Sequence, residues 1–224
     1  NMQKKRNIPV IVDNTFATAL IQKPLQLGAT ISLTSTTKYI NGHSDALGGV
    51  VCTQDPEWHN SMIFAQKALG LQPSPFDCWL ITRGIKTLPL RLEKQSKSAS
   101  SIADKLVNHP CIVSVLYPYR DDHPQYPLAK KQMANGGAII SARLKANKEK
   151  TYSFCKSLQY FTMAESLGGV ESLICHPATM THSSLPLAIK AKLGIDESLI
   201  RLSIGCEDEV DLINDLKQSL DQLK

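Results

Sequence analysis

The sequence predicts an α/β fold followed by a smaller α+β region, and three observations carry that expectation. Between residues 9 and 69, short β-branched runs alternate with helical patterns in the order strand, helix, strand, strand, helix. A glycine- and proline-containing break at 70–75 then leads into a long helical pattern. Beyond His109-Pro110 the character changes to short alternating strands separated by helical pieces.

Each element has its own signal. Residues 9–12 (PVIV) form a β-branched run ending at Asp13, suited to a buried parallel strand. Residues 17–27 read as a short helix closed by Gly28. Residues 30–34 (TISLT) give a second strand, 35–45 a polar loop, and 48–53 (GGVVCT) a third strand. A helix from about Asp55 to Leu69 follows. The long pattern after the break runs through Phe76, Leu80, Ile81, Ile85, Leu88 and Leu90 and continues from 92 to 107, with Pro89 expected to kink or divide it. Further on, strands are predicted at 112–116, 137–144, 171–174 and 201–204, with helical pieces at 128–133 and 148–158. The last helix opens on Glu207, Asp208 and Glu209, which complement its dipole, and carries Leu212, Ile213, Leu216 and Leu220 as its apolar stripe. Trp58 and Trp79, at helical positions, are expected in the core.

Composition narrows the function classes. Of 224 residues 42% are apolar and 20% charged, an ordinary globular balance that is far too apolar for disorder. The net charge of +5 is scattered, with one basic cluster at Lys4-Lys5-Arg6, so no nucleic-acid partner is expected. No apolar run approaches the roughly 18 residues of a membrane span, and the opening residues lack a signal-peptide stretch. Six cysteines, widely separated and without a CxxC pair, read as reduced core thiols of a cytoplasmic protein and disfavour a zinc site.

Chemistry is expected at the carboxyl ends of the first strands, where open α/β sheets collect ligands. Asp13 directly follows the first strand, and Lys38 lies just past the second with hydroxyl residues at −3 and −1, Ser35 and Thr37. A lysine amine can form a Schiff base while hydroxyls donate to a phosphate. An aspartate on the neighbouring strand can keep a pyridine nitrogen protonated. Spacing alone leaves the plainer readings ahead: a lysine in a polar loop is usually a solvated charge, and an aspartate after a strand is commonly a helix cap.

The wording of the motifs changes that balance. Residues 12–16 (VDNTF) and 35–45 (STTKYINGHSD) closely resemble the pyridoxal-phosphate signature of the Cys/Met-metabolism enzymes, which include cystathionine γ-lyase, γ-synthase and β-lyase and methionine γ-lyase. The resemblance continues at 83–88 (RGIKTL), 123–125 (HPQ), 164–173 (AESLGGVESL), 180–182 (MTH) and 199–205 (LIRLSIG), in the family's order and across nearly the whole chain. It implies a PLP-dependent transferase fold of type I, aspartate aminotransferase-like. Residues 1–90 would be the C-terminal part of the large domain and 91–224 the small α+β domain.

Carried over residue by residue, the resemblance implies pyridoxal 5′-phosphate as cofactor. Lys38 would be the Schiff-base (internal aldimine) lysine and proton shuttle, Asp13 the partner of the pyridine nitrogen, and Thr15 a neighbour of the ring. Ser35 and Thr37 would bind the phosphate. Arg201 would grip the substrate carboxylate, as a bidentate guanidinium is suited to do. Ser166 would help orient that carboxylate and Lys38, and Glu165 would tune substrate choice. His43 and His182 are assigned to the scaffold.

The implied activity is a transsulfuration lyase acting on a small sulfur amino acid: cystathionine γ-lyase, with γ-synthase as the alternative and a non-catalytic remnant of the fold as a third possibility. Residues 69–78, 86–92, 123–125 and 129–133 most resemble the γ-lyase branch, whereas Glu165 suits both lyase and synthase. A Rossmann dehydrogenase is disfavoured because no GxGxxG follows the first strand. Family members carry a long segment ahead of the strand that bears Asp13. The chain is therefore expected to be the C-terminal portion of a longer enzyme, partnered by that missing N-terminal segment, inactive alone, and assembled as a homotetramer.

Overall fold

The computed structural model describes residues 8–223, so the Lys4, Lys5 and Arg6 cluster lies outside the described residues. The chain divides into two compact units, one running to Pro89 and including Lys130–Ala134, the other comprising Leu90–Ala129 and Asn135–Lys224.

The first unit is built on a three-stranded sheet. Strands β1 (Ile11–Asp13) and β2 (Ile31–Ser35) pair in parallel with Asp13 opposite Leu33, and β3 (Gly49–Thr53) runs antiparallel to β2 with Gly49 opposite Ser35. The helix predicted at 17–27 is much shorter: α1 spans only Thr18–Ile21. Gln22 is already extended, and Pro24 supplies no N–H to continue the ladder. Gln22 instead bridges to Met133, and Ile21 accepts a hydrogen bond from Ala134 N at 2.8 Å. The polar loop at 35–45 contains structure that periodicity does not reveal, a single π-helical turn at Thr36–Ile40.

Helix α2 (Pro56–Leu69) begins where Asp55 accepts hydrogen bonds from the amides of Glu57 and Trp58. It ends at Gly70, whose φ of +67° suits a residue without a Cβ. Helix α3 (Pro75–Ile85) is capped by Ser74. The division of the long helical pattern falls at Lys86 and Thr87. Pro89 lies in the first turn of α4 (Leu88–Leu106), where its missing N–H removes no ladder bond. Trp58 and Trp79 are not in the core of this chain: α2 buries no residue and α3 only Gly84, so both indoles face outward.

The second unit has a five-stranded sheet: β4 (Ile112–Leu116), β5 (Ile139–Leu144), β6 (Thr162–Met163), β7 (Leu173–Cys175) and β8 (Leu199–Ser203), in the order β4-β5-β8-β7-β6. Only β6 and β7 run parallel. Ile140, Ala142 and Leu144 alternate inward from β5 and meet Ile174, Ile200 and Leu202 in a continuous core. Helices α5 (Tyr126–Gln132), α6 (Lys148–Ser157), α7 (Leu187–Lys192) and α8 (Glu209–Asp221) complete the order. Strand β6 and helix α7 are too short to leave a periodic signal.

Buried stripes explain the long helices. In α4 Leu92, Gln95, Ala99, Ile102 and Leu106 face inward, and in α8 Leu212, Leu216 and Leu220 do so, each leucine contributing about 1.5–3 kcal/mol. Asp215 in α8 is buried as well, and its carboxylate accepts the amides of Gln159 and Tyr160 ahead of β6. All six cysteines are free. Cys111, Cys155 and Cys175 are core thiols as expected, but Cys52 and Cys78 are exposed and Cys206 is half-buried. No described helix is long and apolar enough to cross a membrane.

Candidate active site

Five of the predicted residues collect at one end of the first unit's sheet. Asp13 ends β1, and its Oδ1 accepts the Thr15 amide at 2.9 Å, a tight turn that fixes the carboxylate on the strand end. Thr15 is buried, and its hydroxyl accepts the Ser35 amide at 2.9 Å, tying the turn after β1 to the end of β2. Parallel pairing of β1 with β2 is what brings Asp13, Thr15 and Ser35 to the same edge.

The chain then enters the π-helical turn that carries Thr37 and Lys38. The turn closes through Asn41 N to Thr36 O at 2.9 Å and Gly42 N to Lys38 O at 2.8 Å, while Lys38 itself leaves helical geometry (φ −91°, ψ −128°). Two glycines make room for the turn. A Cβ at position 48 would lie 2.7 Å from the buried Thr36 hydroxyl, and one at position 84 would overlap the Asn41 carbonyl oxygen. Helix α3 thus abuts the turn backbone to backbone.

This donor set fits pyridoxal phosphate. Asp13 uses one carboxylate oxygen on Thr15, and the other makes no hydrogen bond among the described residues, which suits a pyridinium N–H. The Thr37 hydroxyl accepts Gly48 N at 3.1 Å, but its own proton reaches the Gly48 carbonyl only at 3.4 Å, long for such a bond. That proton is available to a phosphate oxygen. Ser35 and Lys38 are half-buried on the same stretch.

The remaining predicted residues lie in the second unit. Arg201, on β8, donates from Nη2 to the carbonyls of Glu165 at 2.7 Å and Ser166 at 3.1 Å. Its Nε is buried and has no acceptor among the described residues. A buried guanidinium N–H left unmade is unfavourable by about 1–3 kcal/mol, so this edge is poised for an anionic ligand atom. Glu165 is exposed and Ser166 half-buried. Asp13, Thr15, Ser35, Thr37 and Lys38 are gathered in the first unit, and Glu165, Ser166 and Arg201 in the second. Sequence reasoning missed the side chains that anchor the loop at 164–172, Gln95 and Ser203 foremost. Ser203 stands in a recognised motif, whereas Gln95 sits in mid-helix with nothing to mark it.

A strand-end carboxylate, a lysine on a strand-to-turn junction and a mixed α/β layer fit a PLP-dependent protein of fold type I. Its family follows directly: residues 1–221 match the Cys/Met metabolism PLP-dependent enzymes, and the chain belongs to that family, whose cofactor is pyridoxal 5′-phosphate. It is 46% identical over 217 residues to the cystathionine gamma-lyase of Dictyostelium discoideum, covering 97% of this chain and 56% of that protein. It is equally 46% identical over 215 residues to the cystathionine gamma-synthase of Mycobacterium bovis, covering 96% of this chain and 55% of that protein. The crystal structure of cystathionine gamma synthase from Xanthomonas oryzae superposes with a TM-score of 0.96 at 45% identity, covering 99% of this chain and 57% of that one. The chain therefore spans little more than half the length of the relatives it matches.

Proposed function

We propose that the protein carrying this chain is a PLP-dependent transsulfuration enzyme, a cystathionine γ-lyase that converts cystathionine to cysteine, 2-oxobutanoate and ammonia. The observation that carries the PLP-dependent reading is the convergence of Asp13, Thr15, Ser35, Thr37 and Lys38 on one sheet edge. When bound, pyridoxal phosphate supplies an electron sink for negative charge developing beside the substrate nitrogen. Asp13 keeps the ring nitrogen protonated, Thr15 backs the ring, and Ser35 and Thr37 donate to the phosphate. The Lys38 amine holds the cofactor and takes a proton from the substrate Cα. Arg201 pairs with the substrate carboxylate through its unsatisfied edge, Ser166 helps orient that carboxylate, and Glu165 tunes substrate choice.

The γ-lyase assignment rests on the residues at 69–78, 86–92, 123–125 and 129–133. The γ-synthase reading has its own support, because the chain is as similar to a synthase as to a lyase. We propose further that residues 1–90 and 91–224 serve as parts of the large and small domains. The complete assembly would be a cytoplasmic homotetramer that includes a preceding segment. Two incubations of the complete enzyme decide the activity: cystathionine alone, then an O-acylhomoserine with cysteine. Release of 2-oxobutanoate from cystathionine is the expected result. Cystathionine formation without its breakdown would overturn the lyase in favour of the synthase.

A further inference from the structure

We propose that Gln95 is a positioning residue for substrate-carboxylate recognition, because it pins the loop whose backbone carbonyls aim Arg201. The inference rests on the carboxylate role of Arg201 proposed above.

Arg201 is oriented by main-chain oxygens, those of Glu165 and Ser166, rather than by an acid. Its aim is therefore only as good as the rigidity of the loop at 164–172. That loop is held from two elements at adjacent residues. From β8, the Ser203 hydroxyl accepts the Gly168 amide at 2.9 Å. Ser203 lies two residues beyond Arg201 on the same strand, so both side chains point from the same face. From α4, Gln95 Nε2 donates to the Gly169 carbonyl at 2.6 Å. The far end of the loop is secured separately: Glu207 accepts both the amide and the hydroxyl of Ser172, and that hydroxyl accepts Gly205 N at 2.9 Å.

Gln95 is unusual among these anchors. It is 0% exposed, in the buried stripe of a helix whose other inward positions include Leu92, Ala99 and Ile102. Its Oε1 has no hydrogen-bond partner among the described residues. An apolar side chain of the same volume would remove that unsatisfied oxygen, so packing alone disfavours glutamine here. What only the amide supplies is the fixed donor to Gly169. The loop needs such a clamp: Gly168 has φ +78°, and its glycine pair leaves the backbone otherwise free to reorient. Misplacing the Glu165 and Ser166 carbonyls by even an ångström would turn the guanidinium away from a planar, two-point fit to a carboxylate.

The test compares dissociation constants of L-methionine and its decarboxylated amine, 3-(methylthio)propylamine, on the complete PLP-loaded protein and its variants. The unmodified protein should prefer the amino acid at least a hundredfold, and Arg201→Ala should abolish the preference. Gln95→Met and Ser203→Ala should each lower it about tenfold, leaving affinity for the amine unchanged. The ratio is taken on one folded sample, so a loss of folded protein does not move it. If Gln95→Met fails to fold, Gln95→Leu, which likewise removes the donor to Gly169, carries the test, with Ser203→Ala reporting on the β8 anchor. A full preference in the loop variants that fold, alongside its loss in Arg201→Ala, overturns the role of the loop clamp alone. A preference that survives Arg201→Ala overturns the carboxylate role of Arg201 and this inference with it.

Discussion

The two units bury their apolar residues very differently. The second packs a five-stranded sheet whose Ile140, Ile174, Ile200 and Leu202 are essentially inaccessible, with Ile102, Leu212 and Leu216 equally buried. In the first, Tyr39 is the one large side chain of that kind among the described residues, while Phe64, Leu69, Phe76 and Trp79 on α2 and α3 stand open, Phe64 at 74% exposure. Strand β3 is exposed along most of its length. A scattered exposed leucine means little, but a run of aromatic and aliphatic residues along two helices is a surface that gains stability when covered. The second unit is a finished core that holds Arg201 against the carbonyls of Glu165 and Ser166. The first gathers Asp13, Thr15, Ser35, Thr37 and Lys38 on a sheet too narrow to shield its own faces.

Thiol chemistry gives the widest contrast. Burial pushes the Cys155 thiol up to about 12, so it is protonated and shielded at neutral pH, whereas Cys52 and Cys78 are exposed. Titration of the chain with a thiol reagent at pH 8 should show Cys52 and Cys78 reacting at least about a thousandfold faster than Cys155. Fast labelling of Cys155 would erase the distinction between the units.

Charge insertion separates the units in stability. Leu202→Asp buries a carboxylate at a 0% exposed position in β8 and should remove more than about 4 kcal/mol, enough to unfold the second unit. Phe64→Asp should change the stability of the chain by less than about 0.5 kcal/mol. Urea unfolding read by circular dichroism measures both, and equal effects would contradict the comparison.

Gly84→Ala probes the cradle itself. The added methyl would press on the Asn41 carbonyl at the end of the turn that bears Lys38. We expect a loss of about 1–3 kcal/mol and weaker pyridoxal phosphate retention, measured by the cofactor's absorbance after dialysis. Wild-type retention would mean that α3 does not set the turn.

The smallest effect is electrostatic. Burial works to raise the Asp196 carboxyl, but hydrogen bonds from Ser198 and Arg143 outweigh it and hold the group below its ordinary range. A depressed folded-state value means the contribution is complete above the unfolded value near 4 and is lost as pH falls through the lower folded one. The pair is half-exposed, so the effect is at most about 1 kcal/mol. Asp196→Asn should flatten the acid limb of the stability curve by that amount, and an unchanged limb would remove Asp196 from the account.

Much of this was legible in the sequence, unevenly. Strong periodicity and caps set α2 between Asp55 and Gly70 and the stripe of α8 at Leu212, Leu216 and Leu220. The helix expected at 17–27 ended at Ile21 because Pro24 and a tertiary bridge from Gln22 to Met133 outcompete local propensity. The π turn at Lys38 has no periodic signature at all. Trp58 and Trp79 show the limit most clearly, since spacing tells which residues share a helix face but not whether this chain supplies the cover. The strand-end acid and motif lysine could be read directly. Gln95 could not, because its role depends on a loop 74 residues away.

We propose the Lys38 amine as the attachment point for pyridoxal phosphate. Borohydride reduction of the cofactor-loaded protein, followed by proteolysis and mass spectrometry, tests it directly. A phosphopyridoxyl adduct is expected on the peptide containing Lys38 and on no other lysine. An adduct elsewhere, or a Lys38→Ala variant that still traps the cofactor in full yield, would contradict it.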